Sequence, residues 1–548
     1  MNNKLERRWS GLAVRASLFI LCMLLFGAGT AGALGQDKTD PSTEAKNGQE
    51  AIDSLGVKLP QVASAYGLTA DELKVLFLTD PTLYVDSDGE LFYADEPFPE
   101  DLAASVAMEQ GMDAAPFDPS QTFLLHSLPG ASHVIYLDFD GHTTVAGTSW
   151  NGGASIVSPP YDIDGDPNTF NATEIERIQI SWQIVSEDYS PYDVDVTTED
   201  PGSAALSYQG SGDIYYGSRV VVTDDTWANC GCGGHAYIGS FDDYLDEPVF
   251  VYNQSLAGVA EATSHEVGHA LLLSHDGTST TTYYTGHGSG EIGWAPIMGA
   301  SYYQPVTQWS KGEYYDANND GASANYGNGP DDLAILASLT NGNGFGYRPD
   351  DHGDSGLTAT PLTVNGSAIS GVGIIEQTDD VDVFSFTTGA GQANLSIVGA
   401  SPLPNLDVLA QLYDSTDTLV ASSDSASQVS ASLSVVLNEG TYYLHIDGTG
   451  TGAPVNPGPT GYTQYGSLGQ YSISGTVVDP QTSAKYVILL VGDGMGPEQV
   501  KAANYYNGGP LAFESLPYVA DVTTYSASSS VTDSAAAATA MATGQKVN

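Results

Sequence analysis

Positive charge is what this chain of 548 residues has least of: 15 Lys+Arg stand against 67 Asp+Glu, a formal net charge of -52. A surface of that sign repels nucleic acid and anionic lipid alike, which sets nucleic acid aside as a partner and favours cations. Cysteine is rarer still, at three, too few for a four-thiolate zinc site. Cys22 falls in the N-terminal apolar run SLFILCMLLFGAG, outside any lipoprotein cleavage motif. That leaves Cys230 and Cys232 in NCGCGG, where a local Cys-Gly-Cys disulfide in an oxidising exterior is the plainest reading. Long apolar runs are also missing. The N-terminal run is too short and wrongly flanked for a membrane span, and nothing later is long enough to be one.

What is present is 41% hydrophobic residues, with 62 Gly and 32 Tyr among short alternating runs, a composition that builds sizeable cores from β-structure and turns. The length predicts about three or four domains. Lys4, Arg7, Arg8 and Arg15 flank the apolar run and Ala31-Gly32-Ala33 follows it, the pattern of a secretory signal over 1–33. The expected location is secreted or extracytoplasmic, with no stable membrane span once the signal is removed.

Residues 34–128 read as a pro-region. Thr69 and Glu72 in LTADELKVLF form a capping box ahead of a helix, and LYVDSDGELFYADE alternates about Asp88-Gly89 as a hairpin does. Residues 129–348 read as one α+β domain. HVIYLDFDG places Ile135, Leu137 and Phe139 on one strand face, and Asn171 caps a helix carrying Ile175, Ile178, Trp182 and Val185. VDVTTED, RVVVTDD and PVFVYN add strands before the apolar helix VAEATSHEVGHALLLSH. Residues 349–479 alternate with period two, Phe384 with Phe386, Leu433 with Val435 and Leu437, Tyr442 with Leu444 and Ile446, which predicts an all-β sandwich. Residues 484–548 open like an α/β domain, with the strand KYVILLVGDGMG and the helix DSAAAATAMATG, and are too short to complete a doubly wound sheet.

The chemistry concentrates in SHEVGHALLLSHDG, Ser264 to Gly277. On an α-helix His265 and His269 lie about 40° apart and can hold one metal ion, with Glu266 beside them to take a proton from an activated water. His275, ten residues after His265, would lie about 80° away on a continuous helix, so the helix must end before it for a third imidazole to join. Three histidines leave a fourth position open, as a catalytic zinc requires. Asp276 is the alternative third ligand, and a later glutamate the next. His235 and His287 read as strand or loop residues.

With this spacing the segment resembles the metzincins, whose pattern is HExxHxxGxxH followed by a methionine-containing turn. Asp276 points to their adamalysin or reprolysin branch. The resemblance implies zinc on His265, His269 and His275, Glu266 as general base, and Met298 of GWAPIMGASYY as a hydrophobic floor. Tyr302 and Tyr303 follow that methionine at four and five residues, not at the two-residue spacing of branches with a tyrosine ligand. Leu272 stands where the family has glycine. Leucine disfavours positive φ by about 1 kcal/mol, so the turn is expected to be built differently or displaced to Ser274. Residues 34–128 contain no cysteine, which excludes a thiolate as a latency group. An aspartate is an alternative, and the sequence singles none out.

Asp162, Asp164 and Asp166 alternate as in a calcium loop, although Gly165 falls early and Glu174 one place late for an EF-hand. A turn leading into a capped helix is the competing reading. DANNDG at 316–321 is a second, similarly partial match.

DDHGDSGLTATPL, IEQTDDVDVFSF, GTYYLHIDG and YGSLGQYSISGTV resemble the pre-peptidase C-terminal domain, a β-sandwich appended to secreted bacterial peptidases. VILLVGDGMG and VTDSAAAATAMATGQK resemble the start of alkaline phosphatase, which implies a metal-ligand role for Asp493 and a nucleophile role for Ser534, with Zn2+ and Mg2+ in a complete domain. The leading expectation is a secreted zinc endopeptidase acting on protein or peptide substrates. The alternatives are a bifunctional or fused alkaline phosphatase whose phosphatase domain is truncated, and a non-catalytic acidic surface protein.

Overall fold

The computed structural model describes residues 45–97, 115–318, 331–480, 490–492, 495–516 and 525–547. The expected signal at 1–33 lies outside them. The chain divides into two compact units between Pro480 and Gln481. The architecture is multidomain and rich in sheet, with few helices. Among the described residues no helix is long and apolar enough to cross a membrane.

The first unit begins with helices α1 (Gly48–Leu55), α2 (Leu59–Ala65) and α3 (Ala70–Thr79). The Thr69 capping box is formed: Glu72 N donates to Thr69 Oγ1 at 3.2 Å and Thr69 N to Glu72 Oε2 at 2.6 Å. Strands β1 (Lys46–Asn47), β2 (Leu83–Val85) and β3 (Leu91–Asp95) accompany them. The β2–β3 hairpin turns through Gly89 at φ +92, a conformation a Cβ would resist. Leu73, Phe77, Leu83 and Tyr93 make this region's own small core.

Next come β4 (His133–Asp138), the 17-residue helix α4 (Ala172–Asp188), β5 (Asp195–Thr197), β6 (Tyr216–Val222), β7 (Gly234–Tyr237), β8 (Val249–Val251) and helix α5 (Leu256–Ala270). The strands join in the order β1-β2-β3-β7-β8-β6-β4-β5. β8, β6, β4 and β5 run parallel, while β7 is antiparallel to β8. The parallel strands read as continuous apolar runs because both their faces are covered. β7 would be a free edge, but β3 pairs with it antiparallel, Asp95 opposite Gly234 and Tyr93 opposite Ala236.

α4 turns Ile178, Trp182 and Val185 toward the sheet and packs Ile180 and Ile184 against Leu256 and Ala260 of α5. Each such fully buried aliphatic contributes about 1.5–3 kcal/mol, enough to fix α5 on the sheet. Residues 360–476 form two five-stranded sheets whose inner faces carry Phe384, Phe386, Leu433, Leu437, Leu444 and Ile446. Gln470 Nε2 donates to Glu187 at 3.1 Å and Asn405 Nδ2 to Asp188 at 2.8 Å, which ties these sheets to the end of α4.

In the second unit, helices α6 (Pro497–Asn507) and α7 (Ser534–Thr543) are the longest described elements. The expected strand KYVILLVGDGMG lies partly outside the described residues; of its residues, 490–492 and 495–496 are described and are not in a strand.

Candidate metal centre

Ser255 caps α5, its Oγ accepting from Gly258 N at 3.1 Å, and all fifteen residues of the helix are buried. The helix ends in a six-residue reversal: Leu273 N donates to Gly268 O and Leu272 N to His269 O, both at 2.9 Å. This is the hydrogen-bond pattern of a Schellman motif, whose turning residue takes the left-handed conformation. Leu272 takes it, at φ +77. The turn therefore stays where the sequence comparison put it, contrary to the expectation of a different construction or a shift to Ser274. Burial of Leu271 and Leu273 on either side outweighs a strain of about 1 kcal/mol at one residue.

That reversal carries His275 back to the helix face bearing His265 and His269. Ring centroids lie 4.8 Å apart for His265–His269 and His269–His275, and 5.2 Å for His265–His275. The Nε2 atoms of His269 and His275 are 3.1 Å apart. Each ring is fixed through its other nitrogen: His265 Nδ1 to Ile297 O at 2.9 Å, His269 Nδ1 to Leu273 O at 2.9 Å, His275 Nδ1 to Asp80 Oδ2 at 2.8 Å. In the neutral tautomer that donates from Nδ1 to the carbonyl or carboxylate, each ring turns its Nε2 lone pair inward. His265 Nε2 is buried with no hydrogen-bond partner. Three inward lone pairs with outward N–H groups held by oxygen are what a zinc ion needs from its histidines.

The sequence did not reveal the fourth group. Asp95, at the end of β3, inserts its carboxylate among the rings: Oδ1 lies 3.1 Å from His275 Nε2, and Oδ2 lies 3.2 Å from His269 Nε2 and 3.4 Å from His265 Nε2. These four residues form one group able to hold a metal ion. Burial pushes Asp95 up, but the charge of His275 and the rings around it hold it well below the usual carboxylate range. Burial pushes His275 down, but Asp95 and Asp80 outweigh it and raise the imidazole to about 10. Burial pushes His269 down to about 4. The two carboxylates thus demand one positive charge among the rings, either a proton on His275 or a metal cation. Asp276, the alternative third ligand, is outside the group; its backbone N donates to Met298 O at 2.8 Å.

Glu266 faces β7 next to this group. A Cβ on Gly234 would run into its carboxylate, so glycine is the residue that fits opposite it. Burial and the neighbouring Asp95 push Glu266 well above its ordinary value. Met298 is fully buried behind the helix, its sulfur against Gly268. Tyr283 is a second residue the sequence did not single out. Its hydroxyl donates to Asp95 Oδ1 at 2.7 Å and its ring centroid is 4.5 Å from that of His275.

Asp162 and Asp164 come together with Glu174 rather than with Asp166. Asp166 turns back on its own loop, accepting from Asn168 Nδ2 at 3.1 Å, while both Glu174 oxygens accept backbone N–H groups, from Ile163 at 3.0 Å and Asn171 at 2.7 Å. The capped-helix reading describes this turn. Asp316 takes φ +65 and binds Ser279 Oγ at 2.8 Å; residues 319–321 lie outside the described residues. An acidic group absent from the sequence reading, Asp350, Glu376 and Asp380, sits at the start of the sandwich. Cys230 and Cys232 are joined as a disulfide.

In the second unit Ser534 is exposed at the first turn of α7, where Asp533 Oδ1 accepts from Ala536 N at 2.7 Å. Asp493 lies outside the described residues.

A family model described as alkaline phosphatase matches residues 484–548. That segment is thus similar to a family of hydrolases. Among solved structures, the pre-peptidase C-terminal domain of a collagenase from Bacillus anthracis is similar at 18% identity, covering 24% of this chain and 98% of its own, with a TM-score of 0.16. PliG, a periplasmic inhibitor of g-type lysozyme, is similar at 12% identity in its Aeromonas hydrophila form (22% and 95% covered, TM-score 0.15) and at 16% in its Salmonella Typhimurium form (22% and 97%, TM-score 0.15).

Proposed function

We propose that this chain is a secreted zinc-dependent endopeptidase of metzincin type, held latent by its own Asp95. One observation carries the reading: three buried imidazoles converge through Nε2 while every Nδ1 is engaged outward. The ordering 34–128, 129–348 and 349–479 as pro-region, peptidase domain and sandwich belongs to the same proposal. So do export through an N-terminal signal, protein or peptide substrates, and no role for nucleic acid.

Zinc on His265, His269 and His275 supplies Lewis acidity to a water and to a peptide carbonyl. The chain's own residues do the rest. β7 offers an antiparallel edge on which an extended peptide lies as β3 does now, main chain to main chain. Glu266 takes a proton from the attacking water and gives it to the departing amine nitrogen. While Asp95 is in place it covers the inward face of the three rings, which keeps water and a peptide carbonyl from it.

Glu266→Gln keeps the shape of the side chain and removes the base. Added to Asp95→Ala, which removes the blocking carboxylate, the variant is expected to bind one zinc per chain as that parent does and to lose casein cleavage by about 100-fold or more. Cleavage that survives the substitution would refute the assignment.

The match over 484–548 favours a second activity, phosphate monoester hydrolysis with Ser534 as nucleophile and Asp493 as a metal ligand. Ser534 stands at a helix N-terminus, where the helix dipole favours an incoming phosphate.

A further inference from the structure

We propose that Tyr283 is a catalytic residue of the peptidase reaction, its hydroxyl donating a hydrogen bond to the carbonyl oxygen of the bond being cut, and that Asp95 Oδ1 holds that oxygen's place in the latent chain. The proposal rests on the peptidase reading and adds to it the group that stabilises the developing oxyanion.

Asp95 Oδ1 is 3.1 Å from His275 Nε2 and 2.7 Å from the Tyr283 hydroxyl. One oxygen thus touches both the inward face of the histidines and a neutral donor. A substrate carbonyl that displaces Asp95 must approach the same inward face, because the outer nitrogens of the rings are occupied. The donor stays behind when the blocking segment leaves. Tyr283 belongs to the loop after His275, which is pinned by Tyr284 N to Asp276 O at 2.8 Å and by Ala300 N to Tyr284 O at 2.9 Å, and its ring lies on His275 and 6.1 Å from His265. The two side chains that engage the hydroxyl, Asp95 and Thr82 at 3.4 Å, both come from residues 45–97. Moving that segment frees the O–H without moving the ring.

The step balances within the chain, the peptide and one water. As the water oxygen bonds to the carbonyl carbon, the C=O π pair moves onto oxygen and the water proton goes to Glu266. Tyr283 tightens its hydrogen bond to that oxygen and keeps its proton. The C=O bond then re-forms, the C–N bond breaks, and Glu266 delivers the proton to nitrogen. A preorganised donor aimed at the developing charge is worth about 100-fold in rate.

The test uses the full-length chain carrying Asp95→Ala as the unblocked parent, with Asp95→Asn as the parent where Asp95→Ala does not fold. Tyr283→Phe is added to it. Zinc per chain, kcat and KM on an internally quenched peptide, and calorimetric affinity for a phosphinic peptide are compared. Zinc content and KM are expected to stay within about twofold, while kcat falls about 30–100-fold. Affinity for the phosphinic peptide, whose charged oxygen stands in the carbonyl position, is expected to fall at least tenfold. Unchanged kcat and phosphinate affinity in an active parent would overturn the role of Tyr283 and leave the peptidase reading standing. Loss of zinc or a raised KM with unchanged kcat would make Tyr283 a structural residue and overturn the proposal equally. A parent with no zinc or no cleavage dependent on Glu266 would overturn the peptidase reading and this proposal with it.

Discussion

Two stretches of this chain are proposed to carry metal-assisted hydrolysis, one around His265 and one around Ser534, and they differ most in what surrounds them. His265, His269, His275 and Glu266 are all at most 5% exposed, and the outward nitrogen of each ring has an oxygen to hold it. In the second unit only Ser526 and Ala536 are buried among the described residues, and Ser534 is open to solvent. A motif supplies the donor atoms, but burial and the oxygens behind the rings turn them into a site of fixed geometry. The carbonyls of Ile297 and Leu273 and the carboxylate of Asp80 do this for the histidines, a layer that spacing alone cannot reveal.

The sharpest way to separate the two regions is to unblock the first. A charge-assisted hydrogen bond contributes about 1.5–3 kcal/mol, so removing the carboxylate with Asp95→Ala should raise peptide hydrolysis by the full-length chain about 10–100-fold. Initial rates on a quenched peptide check this, and an unchanged rate would mean that Asp95 does not hold the site closed. A smaller effect is expected at the turn that brings His275 in. Leu272→Gly relieves the left-handed leucine and should stabilise the first unit by up to about 1 kcal/mol, while Leu272→Val, β-branched at positive φ, should destabilise it. Urea midpoints for the two variants should therefore move in opposite directions, and a loss of stability in the glycine variant would show that the side chain's packing outweighs its strain. The smallest effect belongs to the second unit. Ser534→Ala should leave proteolysis within about twofold, since nothing in the proposed peptide mechanism uses it, and should abolish any hydrolysis of p-nitrophenyl phosphate that the parent shows.

Much of the first unit could be read from residue patterns, because its signals are local. The Thr69 and Asn171 caps, the Asp88-Gly89 hairpin, the strands over 133–138 and 216–222 and the period-two faces of the sandwich each depend on neighbours within a few residues. The ring of three histidines was legible for the same reason, once the helix was required to stop before His275. Asp95 was not, since it reaches His269 across 174 residues of sequence and its position is set by the pairing of β3 with β7. A slip of one residue in that register would turn Asp95 to the opposite face. Tyr93 and Asp95 do share a strand face, and Tyr93 stacks on His269 with centroids 4.1 Å apart. The alternation in LFYAD was therefore a signal, but one with no indication of what it faced. Leu272 illustrates the reverse case, where a local preference was correctly read and overruled by burial on both sides. Asp166 shows the weakness of counting acids at alternate positions, because a turn uses the same residues to bind its own backbone.

X-ray absorption at the zinc edge of the full-length chain, loaded with one equivalent of zinc, tests the central claim most directly. It should report three imidazole nitrogens at about 2.0–2.1 Å and one carboxylate oxygen at about 2.0–2.2 Å, with the carboxylate lost in Asp95→Ala and the three nitrogens retained. A spectrum that His269→Ala leaves unchanged, or one without three imidazoles, would contradict a zinc site at His265, His269 and His275.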